Sequence, residues 1–313
     1  MKPRAVFLDY QSLQPADLDL ASLRALPLDL ELFDATSPEQ TAERVREADI
    51  VISNKVMLDA AVIAAAPRLK LIAVTATGTN NVDKAAAAAR DIVVVNVSAY
   101  GTAAVAQHTF ALLLALTNNL AAYNRDALSG TWSRSPVFCL MDHPVIDLEG
   151  KTLGIIGYGE LGRAVGRLGE AFGMRLLVAE GQGGAQAGRA PLDTVLREAD
   201  VLSLHCLLSA QTEKIINAKT LALMKPSAIL LNTARGGLVD EGALAGALRQ
   251  GRLAGAGLDV LSVEPPPTDH ILLAADIPGL LVTPHCAWVS PAARQRLLDA
   301  TADNIAAFLR SGH

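Results

Sequence analysis

The sequence predicts an α/β protein made of two doubly wound, parallel-sheet domains, and three observations lead there. Apolar runs of four to six residues alternate with helical patterns almost throughout the 313 residues. The runs form two series with a long helix candidate between them. Only the second series carries a glycine-rich junction between strand and helix. Strands separated by helices form parallel sheets covered on both faces.

In chain order, the first series is Ala5–Leu8, Leu30–Phe33, Ile50–Ser53, Leu71–Thr75 and Ile92–Asn96. Each run is short and apolar, the mark of a buried parallel strand. Thr102 to Asn119 then reads as a long helix. Ser129 to Leu148, with Trp132, Pro136, Phe138 and Pro144, reads as irregular, and a loop that long is usually functional or an interface. The second series is Thr152–Ile156, Leu176–Ala179, Val201–Leu204, Ala228–Leu231, Gly255–Leu258 and Leu280–Val282. Gly181–Arg189, rich in glycine, alanine and glutamine, reads as a flexible surface loop. Pro291 to Leu309 closes the chain as a helix, with Leu297, Leu298, Ile305 and Phe308 at helical spacing. Its expected return to the first domain sets the boundaries: residues 1–98 and 287–313 form one discontinuous domain, residues 99–286 the other.

The composition limits the partners. Half the residues are hydrophobic and 4% aromatic, so the cores are mostly aliphatic. A net charge of −5, with no basic stripe and no RNA-binding aromatic motif, argues against nucleic acid. Cys139, Cys206 and Cys286 are odd in number and scattered. They fit neither a disulfide framework nor zinc spacing, so reduced thiols and no metal are expected. The longest apolar helix candidate, Thr109 to Leu116, is too short to span a bilayer. Met1 to Asp9 enters a strand at once, without a signal-peptide core. The expectation is a soluble, cytoplasmic protein.

The junction Gly157-Tyr158-Gly159-Glu160-Leu161-Gly162 matches G-x-G-x-x-G. It follows Thr152–Ile156 and precedes a helical pattern with Leu161, Ala164, Val165, Leu168, Ala171 and Phe172 on one face. The next strand ends on Glu180, eighteen residues past Gly162. Each part has a job in holding a dinucleotide. Gly157 allows the tight turn, Gly159 leaves room for the pyrophosphate, and Gly162 lets helix and strand pack closely. The helix N-terminus offers N–H groups and a positive dipole end. Glu180 can accept hydrogen bonds from both ribose hydroxyls. This predicts a Rossmann-type cofactor domain binding NAD, beside a flavodoxin-like substrate domain.

Three polar residues stand at successive strand ends of the second series: Arg235, Glu264 and His285. Ligands of open α/β sheets bind beyond the carboxyl ends of the strands. Hydride delivery to a keto carbon leaves an alkoxide that needs a proton, and histidine is the natural acid near neutral pH. A carboxylate stabilises the imidazolium, and arginine clamps a substrate carboxylate. Singly, each residue reads sooner, by about two to one, as a structural or surface side chain: a turn arginine, a solvated carboxylate, a strand-end histidine. Together, beside a cofactor fingerprint, they read as a catalytic set.

Over essentially its whole length the chain resembles the D-isomer-specific 2-hydroxyacid dehydrogenase family. The resemblance rests on Leu230 to Glu241, Ala256-Gly257-Leu258-Asp259-Val260, Glu264-Pro265, Thr283-Pro284-His285 and Ala76 to Asp83. It implies that Arg235 binds substrate, His285 is the acid–base and Glu264 its partner. It places Asp259 near the nicotinamide carboxamide, and Thr233, Ala234, His205, Cys206, Leu207 and Thr212 along the cofactor cleft. Backbone amides near Thr77 and Gly78 would receive the substrate carboxylate. Asn54 and Lys55, at a strand end, join the substrate-binding candidates, although Lys55 reads equally as an exposed lysine. Val105 to Ala111 and Cys286-Ala287-Trp288 look most like glycerate dehydrogenase/hydroxypyruvate reductase sequences. Two departures are Gln107, where many members carry glutamate, and Leu207, where many carry proline beside the adenine.

The resemblance implies NADH-dependent reduction of a small 2-keto acid, hydroxypyruvate or glyoxylate first, by a homodimer in which Phe138 or a neighbour reaches the partner's active site. Alternatives are a dehydrogenase for a larger 2-hydroxy acid and a non-catalytic NAD-sensing protein of the same superfamily. A formate dehydrogenase is disfavoured because glutamine typically replaces Glu264 there.

Overall fold

Both apolar series form parallel sheets, each strand within one residue of its expected position. The structure is a computed structural model describing residues 2–181, 184 and 186–311. The chain divides into two units, Met1–Gly101 with Trp288–His313, and Thr102–Ala287. Of the expected loop Gly181–Arg189, residues 182, 183 and 185 lie outside the described residues.

In the first unit, β1 (Arg4–Phe7), β2 (Asp29–Leu32), β3 (Ile50–Ser53), β4 (Leu71–Val74) and β5 (Val93–Asn96) lie in the order β2-β1-β3-β4-β5. Strand side chains alternate between faces. Ala5, Phe7, Ile50, Ile52, Leu71 and Ala73 therefore pack one core, whereas Val6, Leu8, Val51, Ile72 and Val74 pack the other. Short helices α1 (Ala21–Arg24), α2 (Pro38–Val45), α3 (Ala60–Ala64) and α4 (Lys84–Ala88) connect the strands. Asp59 and Asp83 cap α3 and α4 by accepting the backbone N–H of Val62 and Ala86. The C-terminal helix, Pro291–Arg310, does return to this unit: Leu297, Leu298, Ile305 and Phe308 complete the first core.

The second unit has β6 (Thr152–Ile156), β7 (Arg175–Val178), β8 (Val201–Leu204), β9 (Ile229–Asn232), β10 (Gly255–Leu258) and β11 (Leu280–Val282), in the order β11-β10-β9-β8-β6-β7. Beyond β7 the sheet continues only as a bridge between Ala179 and Ala190. The helices are α5 (Thr102–Thr117), α6 (Leu120–Leu128), α7 (Glu160–Ala171), α8 (Leu192–Glu198), α9 (Ala218–Leu221) and α10 (Glu241–Arg249). The helix expected to reach Asn119 ends at Thr117 because Asn119 is left-handed, φ 48°, and starts α6; asparagine tolerates that region. A second correction concerns Phe172. Placed on the apolar face of α7 by sequence, it is exposed and stacks on Phe110 with ring centroids 5.3 Å apart.

Candidate active site

All strands of each sheet run in parallel, so their carboxyl ends gather on one edge. In the second unit that edge brings together Gly157 after β6, His205 after β8, Arg235 after β9, Asp259 after β10 and His285 after β11.

The glycine junction is shaped for a dinucleotide. Gly157 has φ +93°, and a Cβ there would lie 2.3 Å from the Cys206 backbone nitrogen. A Cβ on Gly162 would lie 2.1 Å from the Gly157 carbonyl oxygen, so only glycine lets α7 sit this close to β6. A Cβ on Gly159, by contrast, would point into open space. Gly159 is also the N-cap of α7 and has no side chain to satisfy the first N–H groups. These N–H groups and the open space beside them fit a pyrophosphate. Glu160 accepts a 2.6 Å hydrogen bond from Thr102, Leu161 is half-buried, and Tyr158 packs over Gly166. Glu180 follows the sheet edge, with its N–H donating to the Ala190 carbonyl.

Further along the cleft, Leu207 exposes 83% of its surface, an apolar side chain offered outward. Thr212 supports it by donating to the Leu207 carbonyl at 2.6 Å. The Thr233 hydroxyl is buried against Thr109, 2.9 Å away, and Ala234 is buried. Burial pushes the Cys206 thiol up. His205 is half-buried, but its Nδ1 is sealed and has no hydrogen-bond partner among the described residues, while Nε2 lies 2.8 Å from Ser203 Oγ. Burial lowers its pKa to about 4, so the ring is neutral at physiological pH.

His285 and Glu264, expected as a pair, lie in contact. His285 Nδ1 lies 2.6 Å from Glu264 Oε2, and Glu264 Oε1 accepts the Leu261 N–H at 3.0 Å. An ionised Glu264 places the Nδ1 proton in that bond, so Nε2 is the nitrogen directed to chemistry. His285 itself is left-handed, φ 52°, with its N–H donating to the Asp259 and Thr283 carbonyls. Arg235 is half-buried at the head of a tight turn, and its Nη1 donates to the Ala234 carbonyl at 2.6 Å.

Asp259 is buried beneath this pair. Its Oδ1 accepts from Thr283 Oγ1 at 2.6 Å and from the Cys286 N–H at 2.9 Å, and its Oδ2 accepts from the Ala287 N–H at 2.9 Å. His108, on α5, lies 2.9 Å from Thr283 Oγ1 and 3.4 Å from Asp259 Oδ1. Burial pushes the Asp259 carboxyl up. The hydrogen bonds from His108, Thr283 and the two backbone N–H groups outweigh that and hold it below the usual carboxylate range. His108, Asp259 and Cys286 place their ligand-type atoms within 4.8 Å of one another. Thr283 and the Cys286 and Ala287 N–H groups, all outside the trio's ligand atoms, already occupy the carboxylate, and the cluster is read as a hydrogen-bond network. The sequence reading omitted His108 as a site residue; its signal was a histidine inside an otherwise apolar helix.

In the first unit the substrate-binding candidates lie at the ends of neighbouring strands β3 and β4. The buried Asp9, just past β1, accepts from the Asn54 N–H at 2.8 Å and the Lys55 N–H at 2.6 Å. Burial raises the Asp9 carboxyl above its ordinary value, even against those two bonds. Asn54 is buried and Lys55 exposed. Thr77 Oγ1 donates to the Val97 carbonyl, and Asn96 Nδ2 donates to the Thr77 carbonyl; Gly78 is half-buried beside it. Asp9 was also missed from sequence, although its place at a strand end was visible there.

The family model described as "D-isomer specific 2-hydroxyacid dehydrogenase, NAD binding domain" matches residues 110–287. A protein named glycerate dehydrogenase from Methylorubrum extorquens is 44% identical over 312 residues, covering 99% of this chain and 97% of its own length. A hydroxypyruvate reductase from Blautia hydrogenotrophica is 38% identical, with 98% and 97% covered. Among solved structures, the TT0316 protein from Thermus thermophilus superposes with a TM-score of 0.87 at 35% identity, with 98% of this chain and 97% of that one covered. No helix among the described residues is long and apolar enough to cross a membrane.

Proposed function

The chain belongs to the D-isomer specific 2-hydroxyacid dehydrogenase family, and on that premise we propose that it reduces a small 2-keto acid to the D-2-hydroxy acid with NADH, and runs the reverse oxidation. Hydroxypyruvate and glyoxylate are the first candidates, in keeping with the names of its relatives. The observation that carries the reading is the 2.6 Å pair of His285 Nδ1 and Glu264 Oε2 on the same sheet edge as the glycine cradle.

When bound, the nicotinamide dinucleotide supplies the hydride in reduction and accepts it in oxidation. The chain's own residues supply the rest. Gly157, Gly159 and the first turn of α7 would hold its pyrophosphate, and Glu180 its ribose. Arg235 binds the substrate and polarises its carbonyl through a planar, permanently charged guanidinium. His285 Nε2 gives a proton to the oxygen that becomes the hydroxyl, and Glu264 stabilises the imidazolium before transfer. Asp259 fixes the backbone that carries His285. Asn54, Lys55 and the backbone at Thr77 and Gly78 are the candidates for the substrate carboxylate.

NADH is preferred over NADPH on this reading, because Glu180 would repel a 2′-phosphate at close range. The nearby cation is Arg189, whose Nη1 lies 3.7 Å from where a Gly181 Cβ would be. A steady-state panel of 2-keto acids with each cofactor tests the whole reading. Turnover of hydroxypyruvate or glyoxylate with NADH, at higher kcat/KM than with NADPH, is expected. NADH binding without turnover of any keto acid would make the chain a sensor, and equal efficiency with both cofactors would remove the role given to Glu180.

A further inference from the structure

The loop that carries Glu264 is held from behind by residues outside the acid–base pair. After Asp259 the chain passes through Leu261 and Ser262, and Ser262 to Glu264 are exposed. Two short backbone stretches meet at Leu261–Ser262. The Leu261 N–H donates to Glu264 Oε1. Gly236, next to Arg235, packs so closely that a Cβ there would lie 1.9 Å from the Leu261 carbonyl carbon and 2.3 Å from the Ser262 nitrogen. The position of Leu261–Ser262 therefore sets both the carboxylate beside His285 and the turn beneath Arg235.

Glu241, the first residue of α10, fixes that position. Its Oε1 accepts the Ser262 N–H at 2.8 Å, and its Oε2 accepts the Ser262 hydroxyl at 2.5 Å. His270 Nε2 lies 3.2 Å from the same Oε2. The tautomer follows from the other side of the ring: His270 Nδ1 accepts the Leu272 N–H at 3.3 Å, so Nε2 carries the proton and donates it to Glu241. Both side chains are nearly enclosed, with 9% of His270 and 13% of Glu241 exposed. The base is rigid too, since Asp240 caps α10 through the Ala243 N–H. A clamp of this kind exceeds what a helix start or a loop turn needs, because both carboxylate oxygens are spent on one serine.

We propose that Glu241, oriented by His270, is a positioning residue for the reaction: it holds Ser262 so that Glu264 stays against His285. The inference rests on the proposed reduction. The other charged groups lining the cavity beside Glu241 are Glu213, Lys214 and Asp240; the titratable and charged groups on the sheet edge with His285 are Glu264, Asp259, Arg235 and the His108 imidazole.

The test compares Glu241→Ala, Glu241→Gln and His270→Gln with wild type and with Glu264→Gln. It reads the pH profile of reduction, KM for NADH and amide exchange at Leu261 and Ser262. In Glu241→Ala, kcat should fall by about 10- to 100-fold, the range for a small misplacement of a reacting group, with little change in KM for NADH. The alkaline limb of the pH profile should move in the same direction as it does in Glu264→Gln. In the double variant Glu241→Ala with Glu264→Gln that limb should move no further. Exchange at Leu261 and Ser262 should quicken. Glu241→Gln should restore most of the rate, because its amide oxygen still accepts the Ser262 N–H. An unmoved profile in Glu241→Ala, or a shift that adds to that of Glu264→Gln, overturns the proposal. If Glu241→Ala does not fold, His270→Gln decides by the same profile and exchange rates. Absence of keto-acid turnover in wild type would instead sink the proposed function, and amide exchange would still judge the clamp.

Discussion

At the scale of single residues, the backbone of His285 explains why Asp259 is buried where it is. A left-handed non-glycine residue is strained by roughly 1–3 kcal/mol and persists only where its surroundings hold it. Here the holding groups are the carbonyl and carboxylate of Asp259, which take the N–H groups of His285, Cys286 and Ala287. His285→Ala should therefore cut hydride transfer by about 10²–10⁴-fold, the usual weight of a general acid, while NADH binding, read by fluorescence titration, stays close to wild type. Unchanged turnover would remove His285 from the chemistry. Glu264→Gln should keep partial activity and bring the alkaline limb of reduction to lower pH, since the imidazolium loses its anionic neighbour. His205 makes a separate prediction about stability. Burial lowers its folded pKa to about 4 from 6.5. Between those values the unfolded chain binds the extra proton, so the contribution is full above pH 6.5 and is lost as the pH falls. The loss should reach about 3 kcal/mol by pH 4. Denaturant midpoints at pH 7.5 and 5 should diverge less in His205→Asn; an equal drop in both proteins would refute the assignment. Arg235 and His285 were legible in sequence because each stands three residues past an apolar strand, and Glu264 because it follows the next strand's end in a proline-rich turn. Asp9, His108 and Glu241 were not. Their partners lie between 21 and 175 residues away, and only the folded chain brings them together.

At the scale of elements, the C-terminal helix shows how the first unit is closed. Arg294 on this helix is 5% exposed, and its guanidinium donates to the Leu13 and Gln14 carbonyls and to both oxygens of Asp17, at 2.7 to 2.9 Å. The Asp17 hydrogen bonds raise the Arg294 pKa further and hold Asp17 below its ordinary value. Arg294→Ala removes the donor to the Leu13, Gln14 and Val289 carbonyls and the cation beside Asp17, so it should destabilise the unit by about 2–4 kcal/mol. Asp17→Asn should do less, because the carbonyls keep their donor. Urea titrations of both variants check this, and equal losses would mean that the carbonyl bonds contribute little. Sequence showed the helix through Leu297, Leu298, Ile305 and Phe308, whose spacing survives in the core. It showed the strands because parallel strands buried on both faces are continuous apolar runs. It did not show α1 or α9, four residues each. A single turn has no periodicity to read, and such turns depend on packing against neighbours. Phe172 failed for a related reason: it is the C-cap of α7, past the last full turn, and its ring swings out to Phe110.

At the scale of the whole molecule, the segment that sequence left irregular bears on assembly. It is not slack. Trp132 Nε1 donates to the Phe138 carbonyl, the Tyr123 hydroxyl to the His143 carbonyl, and His143 Nε2 lies 2.7 Å from Asp126 Oδ2. Yet this stretch and the end of α6 turn apolar side chains outward: Leu128 is 81%, Phe138 90% and Met141 83% exposed, with Trp132, Val137 and Val145 each more than half exposed. Soluble monomers rarely expose many large apolar side chains along one segment, and stable interfaces are built on such segments. The reading is a homodimer joined through this segment. It needs no new pairing chemistry, because a two-fold axis sets the same patch against itself. Sedimentation velocity at micromolar concentration should give twice the 32.8 kDa chain mass. Phe138→Asp with Met141→Asp should shift the protein toward monomer while leaving its circular dichroism unchanged, since neither side chain supports the core. A wild-type monomer near 33 kDa under those conditions would refute the dimer, and a dimer that survives both substitutions would move its interface elsewhere on the chain.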